Sequence, residues 1–526
     1  MAGLFLLEQM ERGYCMVEKK KGIDWTTLWK KDDWVSVWIG FAILITFIIG
    51  CTMKLPSWKW MTDGAFLGEI PSYTKKVDGL VKEAETKGEE GLKGTAAALM
   101  SALDAKDRQG IVKAAGNLEK AVKEVKDKDL NKKADKVAKD IKGNAGSTAG
   151  KAFSGQNLLR VLYLLIFLLV FALIGIGLMG LPVVKFIPGF VIVYVLSALS
   201  FFVAGNTGVN YIGLEVVFWA LLIGLIVSNI LRVPEWLKPA VKTEFFIKIG
   251  LVMLGADVLI KNILVVGAYG MVQSILVIAA VFYVCFWVAK KLGLDDEFAS
   301  ILGTAVSICG VSAAIAAGGA VKGDPKKVSH TISLVLLCAI PMLILEPLVA
   351  KAVGMIPAVA GAWIGGTIDT TGAVVAAGAI AGDKAMQVAV VVKMAQNVLI
   401  GVAAFLLAIW FVFKGKEAGE TPSAAEIWFR FPKFVVGFII ASIVFSSMPE
   451  AFAKSLTRSF INPVRVWWFT LAFLCIGLDT KFKELVAMGG GRPAAAFLIA
   501  QAFNIVWTLI LAYLIFGGVL FPMPTF

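Results

Sequence analysis

Residues 365–378 read GGTIDTTGAVVAAG. They lie in a long apolar part of the chain, yet they hold one carboxylate, three threonines and glycines at 365, 366, 372 and 378. Glycine and threonine weaken a helix, and an ionisable residue in lipid is costly. A second stretch of this kind is ILGTAVSICGVSAAIAAGGAVKG at 301–323, where Ser307, Gly310 and Ser312 interrupt a helical run. Backbone groups released at a break survive in a membrane only inside protein or against a wet cavity. Two such breaks predict a site between them, near the bilayer midplane.

The surrounding sequence supports a membrane setting. The 526 residues are 58% hydrophobic with a mean hydropathy of +0.80, and only 17% are charged. A soluble protein would carry roughly a quarter charged residues. Apolar runs of ~20 residues, each long enough to cross ~30 Å of hydrocarbon, recur at about 34–53, 158–180, 184–204, 210–231, 243–262, 268–290, 297–320, 329–350, 356–381, 385–413, 433–449, 464–480 and 493–518. The expectation is an all-α polytopic protein of about thirteen spans. The first run, WVSVWIGFAILITFIIGC at 34–51, follows 33 mixed-charge residues and reads as a retained span. WTTLWKKDDW places Trp25, Trp29 and Trp34 beside charges, as an interfacial anchor does.

Three regions are expected: an interfacial segment with the first span at 1–55, a Lys/Ala-rich insertion at 56–155, and a transport domain at 156–526. In the insertion, Leu118, Val122, Val125, Leu130, Ala134, Val137 and Ile141 recur at helical spacing, predicting a helical hairpin or bundle. The formal charge of +13 falls largely on loops and this insertion, as membrane topology produces, so nucleic acid is not an expected partner. Six cysteines without a CxxC pair and a single histidine, His330, point to no disulfide framework, no resident metal and no cofactor. The side holding the N-terminal segment, Arg232, Lys290, Lys291, Lys414, Lys416 and Arg430 is richer in cations and is placed in the cytoplasm. The insertion then lies outside.

The chemistry is expected where half-helices from 304–316 and 366–378 converge. A helix N-terminus presents unpaired N–H groups and partial positive charge, so an anion can bind there. Gly310 and Gly372 would let backbone approach a ligand. Ser307, Ser312, Thr367, Thr370 and Thr371 offer hydroxyls, and Asp369 is the candidate ion-coupling group for H⁺ or Na⁺. Lys393, Gln396 and Asn397 share a helix face; Lys393 would pair with Asp369 or face an anion, and Asn397 would join it. Small residues also serve tight helix packing, which is the competing reading. Gln501 and Asn504 are expected to be interhelical glue, and His330 and Glu346 to be interfacial.

Two segments repeat. LVMLGADVLIKNI at 251–263 and LAFLCIGLDTKFKEL at 471–485 share Gly-x-Asp-x-x-x-Lys through Gly255, Asp257, Lys261 and Gly477, Asp479, Lys483. CGVSAAIAAGGAVKGD from Cys309 and TGAVVAAGAIAGD from Thr371 form a second, shorter pair. Internal repeats of this sort mark transporters.

From about Gly205 onward the chain resembles the sulfate exporter family of prokaryotic membrane proteins. LLIGLIVSN at 221–229, KIGLVMLGADVLIKNI at 248–263, ICGVSAAIAA at 308–317, IDTTGAVVAAG, VVKMAQNVL and IGLDTKFKEL carry the likeness in order and spacing. The resemblance implies a fold similar to bile-acid and sodium–proton transporters: an inverted-repeat core with two crossing broken helices and a separate scaffold. It implies transport of sulfate or a related sulfonate. Many members carry His-Glu where Asp369 and Thr370 stand, Gln near Ala373, and Arg near Gln396. The site here is therefore less cationic than the family's. The resulting expectation is a non-enzymatic secondary transporter of a small anion coupled to H⁺ or Na⁺, in the cytoplasmic membrane, with lipid and a second copy of the chain as partners. The alternatives are a Na⁺/H⁺ antiporter using Asp369 and a non-transporting receptor or scaffold.

Overall fold

The structure, a computed structural model, describes residues 26–125, 127–207, 216–231, 233–413, 432–481, 483 and 491–524. Expectations resting on Cys15, Trp25, Arg232, Lys414, Lys416, Arg430 and the start of the 210–231 run lie outside the described residues. Within them the chain is helical, apart from an isolated bridge between Trp60 and Asn206. The chain divides into two compact units, one of residues 54–168 with 198–219 and one of the remainder.

In chain order, α1 is Asp32–Ile48. Its start stacks Trp34 and Trp29 against Trp38, at 6.0 and 5.5 Å between ring centroids. The insertion holds α2 (Asp63–Thr86), α3 (Glu90–Asp104), α4 (Arg108–Ala121) and α5 (Lys128–Ala145). Each packs on the next, and α5 returns to α2. The insertion is thus a closed bundle of four helices, more than the single hairpin that its spacing minimally requires. Leu80, Leu99, Ile111, Leu118, Leu130 and Ile141 are among its fully buried residues. Of the expected apolar positions, Val137 is only half-buried, and its neighbour Ala138 enters the core instead.

The two ends of the bundle are tied by Arg108. Its guanidinium donates to the carbonyls of Ala145 (2.8 Å), Ser147 (2.8 Å) and Met61 (3.1 Å), pairs with Asp63, and lies 4.9 Å from the Phe66 ring centroid. Asp127 caps α5 by accepting from the Leu130 and Asp129 N–H groups.

After the insertion come α6 (Gly155–Leu178), α7 (Val183–Ala204) and α8 (Val216–Ile226), each with residues in both units. The unit without the insertion continues with α9 (Thr243–Leu254), α10 (Ile260–Lys291), α11 (Asp296–Ser307), α12 (Gly310–Ala320), α13 (Pro325–Ala352), α14 (Pro357–Thr367), α15 (Thr371–Ala381), α16 (Asp383–Val398) and α17 (Ile400–Phe413). It ends with α18 (Lys433–Ser447), α19 (Glu450–Leu456), α20 (Asn462–Asp479) and α21 (Arg492–Phe516).

Among the described residues, seven helical stretches are long and apolar enough to cross a membrane, and 216–231, α12, α15 and α18 are shorter apolar helices. This differs from thirteen uniform spans. The run at 243–262 divides, because the Gly255–Asp257 turn ends α9 and α10 starts at Ile260. The runs at 297–320 and 356–381 each divide in two. A helix of 12 residues such as α11 spans roughly 18 Å, about half of a bilayer core.

The break after α11 is carried by Ile308 (φ −126°, ψ −86°) and Cys309 (φ −146°, ψ 76°), which leave the helical region. The break after α14 is carried by Ile368, Asp369 and Thr370, with Ile368 and Thr370 extended. Both are enclosed by protein: residues 358–369 are buried throughout. Enclosure depends on close helix contact. A Cβ on Gly365 would meet the Ala389 carbonyl oxygen at 2.6 Å, and one on Gly378 would meet Met386 Cα at 2.8 Å. These glycines therefore seat α16 against α14 and α15, the packing role small residues play in membranes.

Helices α9 and α20 run antiparallel. The Thr243 hydroxyl at the start of α9 donates to Asp479 at the end of α20 (3.3 Å), while Asp257 just past α9 pairs with Arg465 near the start of α20 (3.3 Å). Their flanks exchange contacts reciprocally. Ser228 donates to the Gly477 and Thr480 carbonyls, both at 2.8 Å. Ser442 donates to the Val258 carbonyl, and Ser446 accepts from the Ile260 N–H at 3.1 Å. The repeated Gly-x-Asp motifs thus occupy matching places at opposite ends of one helix pair.

Two outcomes follow for the insertion. Arg108→Ala strands several buried carbonyls and should destabilise the bundle by about 2–4 kcal/mol; limited proteolysis of the full chain should then cleave within 56–155 first. Acid should act on the same bundle. The Glu83 and Glu119 carboxyls are held below their usual range by hydrogen bonds from Lys133 and Lys142, and Asp127 by the Leu130 N–H and then Lys87. Depressed folded-state values mean stability that is present above about pH 4 and lost as pH falls further, which a pH series of the same proteolysis would read.

Candidate functional site

The last carbonyls of a half-helix have no partner in the next turn. Polar side chains from α16 and α21 meet that need at both breaks together. Lys393 Nζ donates to the Ile308 carbonyl at 2.6 Å and to Gln396 Oε1 at 2.7 Å. The Gln396 amide donates to the carbonyls of Ser307 (2.9 Å) and Gly366 (3.4 Å). The Asn504 amide donates to Val306 (3.3 Å) and Thr367 (3.4 Å), and Thr508 in turn donates to Asn504 Oδ1 at 2.7 Å. Two amides therefore each bridge α11 and α14, which places the two breaks against one another.

Thr371, the first residue of α15, accepts from Asn397 Nδ2 at 3.2 Å, and Cys309 immediately precedes α12. Thr370 caps α15, accepting from the Ala373 N–H at 3.3 Å. The short sequence pair beginning at Cys309 and Thr371 thus marks the start of the second half-helix in each broken segment.

The sequence-derived residues divide by what they touch. Ser307, Thr370, Thr371, Asp369, Lys393 and Asn397 gather at the crossing. Thr367 is buried and turns its hydroxyl back to the Trp363 carbonyl. Ser312 is exposed. Gly310 does not open backbone to a ligand: its missing Cβ is filled by the Val335 side chain. Gly372 faces Ile247, whose Cδ1 would lie 2.9 Å from an added Cβ. Lys393 does not pair with Asp369, because its ammonium is committed to the Ile308 carbonyl and Gln396.

Asp369 is 1% exposed, and its Oδ2 is buried without a hydrogen-bond partner among the described residues. Lys393 and Glu346 are within its electrostatic reach. Glu346, expected to be interfacial, is 4% exposed and lies within α13 between Pro341 and Pro347, six residues before the helix ends at Ala352. The helix runs through both prolines, so Pro347 does not mark its end. Gln501 was legible as glue from its spacing with Asn504; it donates to the Thr367 carbonyl at 3.1 Å and Met342 Sδ at 3.0 Å. His330, in the second turn of α13, is half-buried with its ring edge-on to Phe298. Beside the α11 break lies an apolar cavity of about 460 Å³, where Ser307 and Ile308 meet Phe282 of α10 and Trp410 of α17. Its lining offers an anion little to bind.

The bridging amides carry a measurable load. Gln396→Leu leaves two buried carbonyls unmet, at about 1–3 kcal/mol each, and should lower the melting temperature of the purified protein sharply. Ser312→Ala, at an exposed position, should leave it unchanged.

A family model described as Conserved hypothetical protein 698 matches residues 188–496. A UPF0324 membrane protein of Rhodopirellula baltica is 42% identical over 343 residues, covering 63% of this chain and 63% of that protein. One from Nitratidesulfovibrio vulgaris is 38% identical over 388 residues, covering 71% of this chain and 66% of the relative. One from Nitrosomonas europaea is 31% identical over 333 residues. The chain spans somewhat under two thirds of the length of the first two relatives. No solved structure matches it.

Proposed function

The chain belongs to the family described as Conserved hypothetical protein 698, and from that membership and the crossed breaks we propose a secondary active transporter of a small anion, sulfate or an organosulfonate foremost. The observation that carries this reading is the bridging of both breaks by Gln396 and Asn504. The second half-helices start within a few residues of these bridged carbonyls, with the half-buried Thr370 and Thr371 at the start of α15 and Asn397 donating to Thr371. Such ends bind anions through backbone N–H groups, and broken helices that meet within a bundle are where transporters hold substrate. The reciprocal contacts of α9 and α20 support the inverted-repeat reading, with these helices in the scaffold and α11–α16 in the core.

Asp369 is the coupling group in this proposal. A buried carboxylate without a hydrogen-bond partner is costly as a bare ion, so a proton or a cation accompanies it. No step of the proposed cycle is enzymatic. Lipid and a second copy of the chain are its proposed partners, in a prokaryotic cytoplasmic membrane with the insertion outside. A second reading, Na⁺/H⁺ antiport through Asp369, is favoured by one observation: Lys393 already donates to two protein acceptors, the Ile308 carbonyl and Gln396.

Flux into proteoliposomes separates the two. Uptake of labelled sulfate, sulfite or taurine under an imposed pH or Na⁺ gradient should be reduced at least tenfold by Asp369→Asn. Anion-independent Na⁺–H⁺ exchange, lost in the same variant, would establish antiport instead. No anion flux in any gradient would sink the anion reading.

A further inference from the structure

Glu346 has no part in the carbonyl network, yet it is among the most enclosed charges in the unit. Both of its carboxylate oxygens are buried without a hydrogen-bond partner among the described residues, as is Asp369 Oδ2. A third acceptor shares this condition: Gln501 Oε1 is buried and unpartnered, while its amide nitrogen is engaged on Met342 Sδ and the Thr367 carbonyl. Met342 lies one turn before Glu346 on the same face of α13. Thr367 lies two residues before Asp369. The Gln501 side chain therefore sits between the turn that bears Glu346 and the break that bears Asp369.

Carboxylate and amide oxygens are acceptors. Buried without donors, they are costly. The nearest cation, Lys393 from α16, is committed elsewhere. The other titratable groups in electrostatic reach are the thiols of Cys285 from α10, Cys309 between α11 and α12, and Cys338 from α13. One proton meets only the oxygen that carries it and the acceptor to which that O–H donates, which leaves the rest of these four oxygens unmet. A hard cation answers all three, because it takes oxygen ligands from either group. Two carboxylates against Lys393 leave one negative charge, which a monovalent ion matches. Calcium wants six to eight oxygens, and among the described residues no group of three or more His, Cys, Asp or Glu is placed to hold a metal.

We propose that Glu346, Asp369 and Gln501 form a Na⁺ site beside the crossing of the broken helices, with Glu346 its second anionic ligand. This rests on the reading of Asp369 as the coupling carboxylate and deepens it: the coupling ion is Na⁺, and it ties α13 to the α14–α15 break.

The test is equilibrium binding of ²²Na⁺ to the purified full-length protein at pH 8, with choline holding ionic strength constant and no anion substrate added. The wild-type protein should bind saturably. Glu346→Gln and Asp369→Asn should each weaken binding at least tenfold, and Gln501→Leu several-fold. Thermal melts in choline identify variants that fold; should Glu346→Gln fail to fold, Glu346→Asp decides, with several-fold weaker binding expected. Wild-type affinity in a folded Glu346 variant would overturn the proposal. So would the lack of any saturable ²²Na⁺ binding, the result expected if protons alone serve the site. Saturable Na⁺ binding with silent anion flux would uphold this site and sink the anion reading. Proton-driven anion flux without Na⁺ binding would do the reverse.

Discussion

The carbonyls of Val306, Ser307, Ile308, Gly366 and Thr367 set the terms for the membrane part of this protein. Two helices stop midway, and the groups they release must be met where no water is on hand. Lys393 and Gln396 from α16, with Gln501 and Asn504 from α21, meet them. For α16 to come this near, α14 must present no side chains toward it, and Gly365 supplies that face. The glycines and the amides are thus two halves of one arrangement. The glycines admit the helix, and the helix brings the donors.

The scaffold shows a second economy of the same kind. At each end of the α9–α20 pair, an Asp follows a glycine at a helix terminus and finds a partner on the opposing helix: Arg465 for Asp257, Thr243 for Asp479. The serines that precede each helix cross to the carbonyl or N–H groups beyond the other motif. Arg465 also reaches toward Asp383 at the start of α16, at 3.7 Å. That contact ties the helix pair to α16 at the Asp257 end.

Much of this was legible in the sequence, and for particular reasons. The breaks at 308–309 and 368–370 announce themselves by clustering small and polar residues in apolar runs. The motif pair at Asp257 and Asp479 could be matched, though its reciprocal geometry needs coordinates. The insertion's core followed from 3.6-residue spacing. What stayed hidden was long-range. Nothing local to Lys393 says that its ammonium will find the Ile308 carbonyl, 85 residues away, instead of Asp369. The burial of Glu346 by other parts of the chain was hidden too, and Pro347 beside it suggests a helix end although the helix runs on to Ala352. The role of Gly310 turned on Val335, a contact that no spacing rule foretells.

The fate of Lys393 changes how an anion could be held. An ammonium that donates to a carbonyl and an amide keeps its charge, but that charge already stands against the two carboxylates, and the half-helix ends add only partial positive charge. Two carboxylates stand nearby and would repel an anion for as long as they remain uncompensated. In the proposed cycle a cation bound at those carboxylates removes that repulsion, and a bound anion in turn favours the cation. Binding free energies linked in this way must be reciprocal. Coupling then needs no mechanical relay between separate sites: the ion's charge, placed beside the crossing, is itself what admits the substrate.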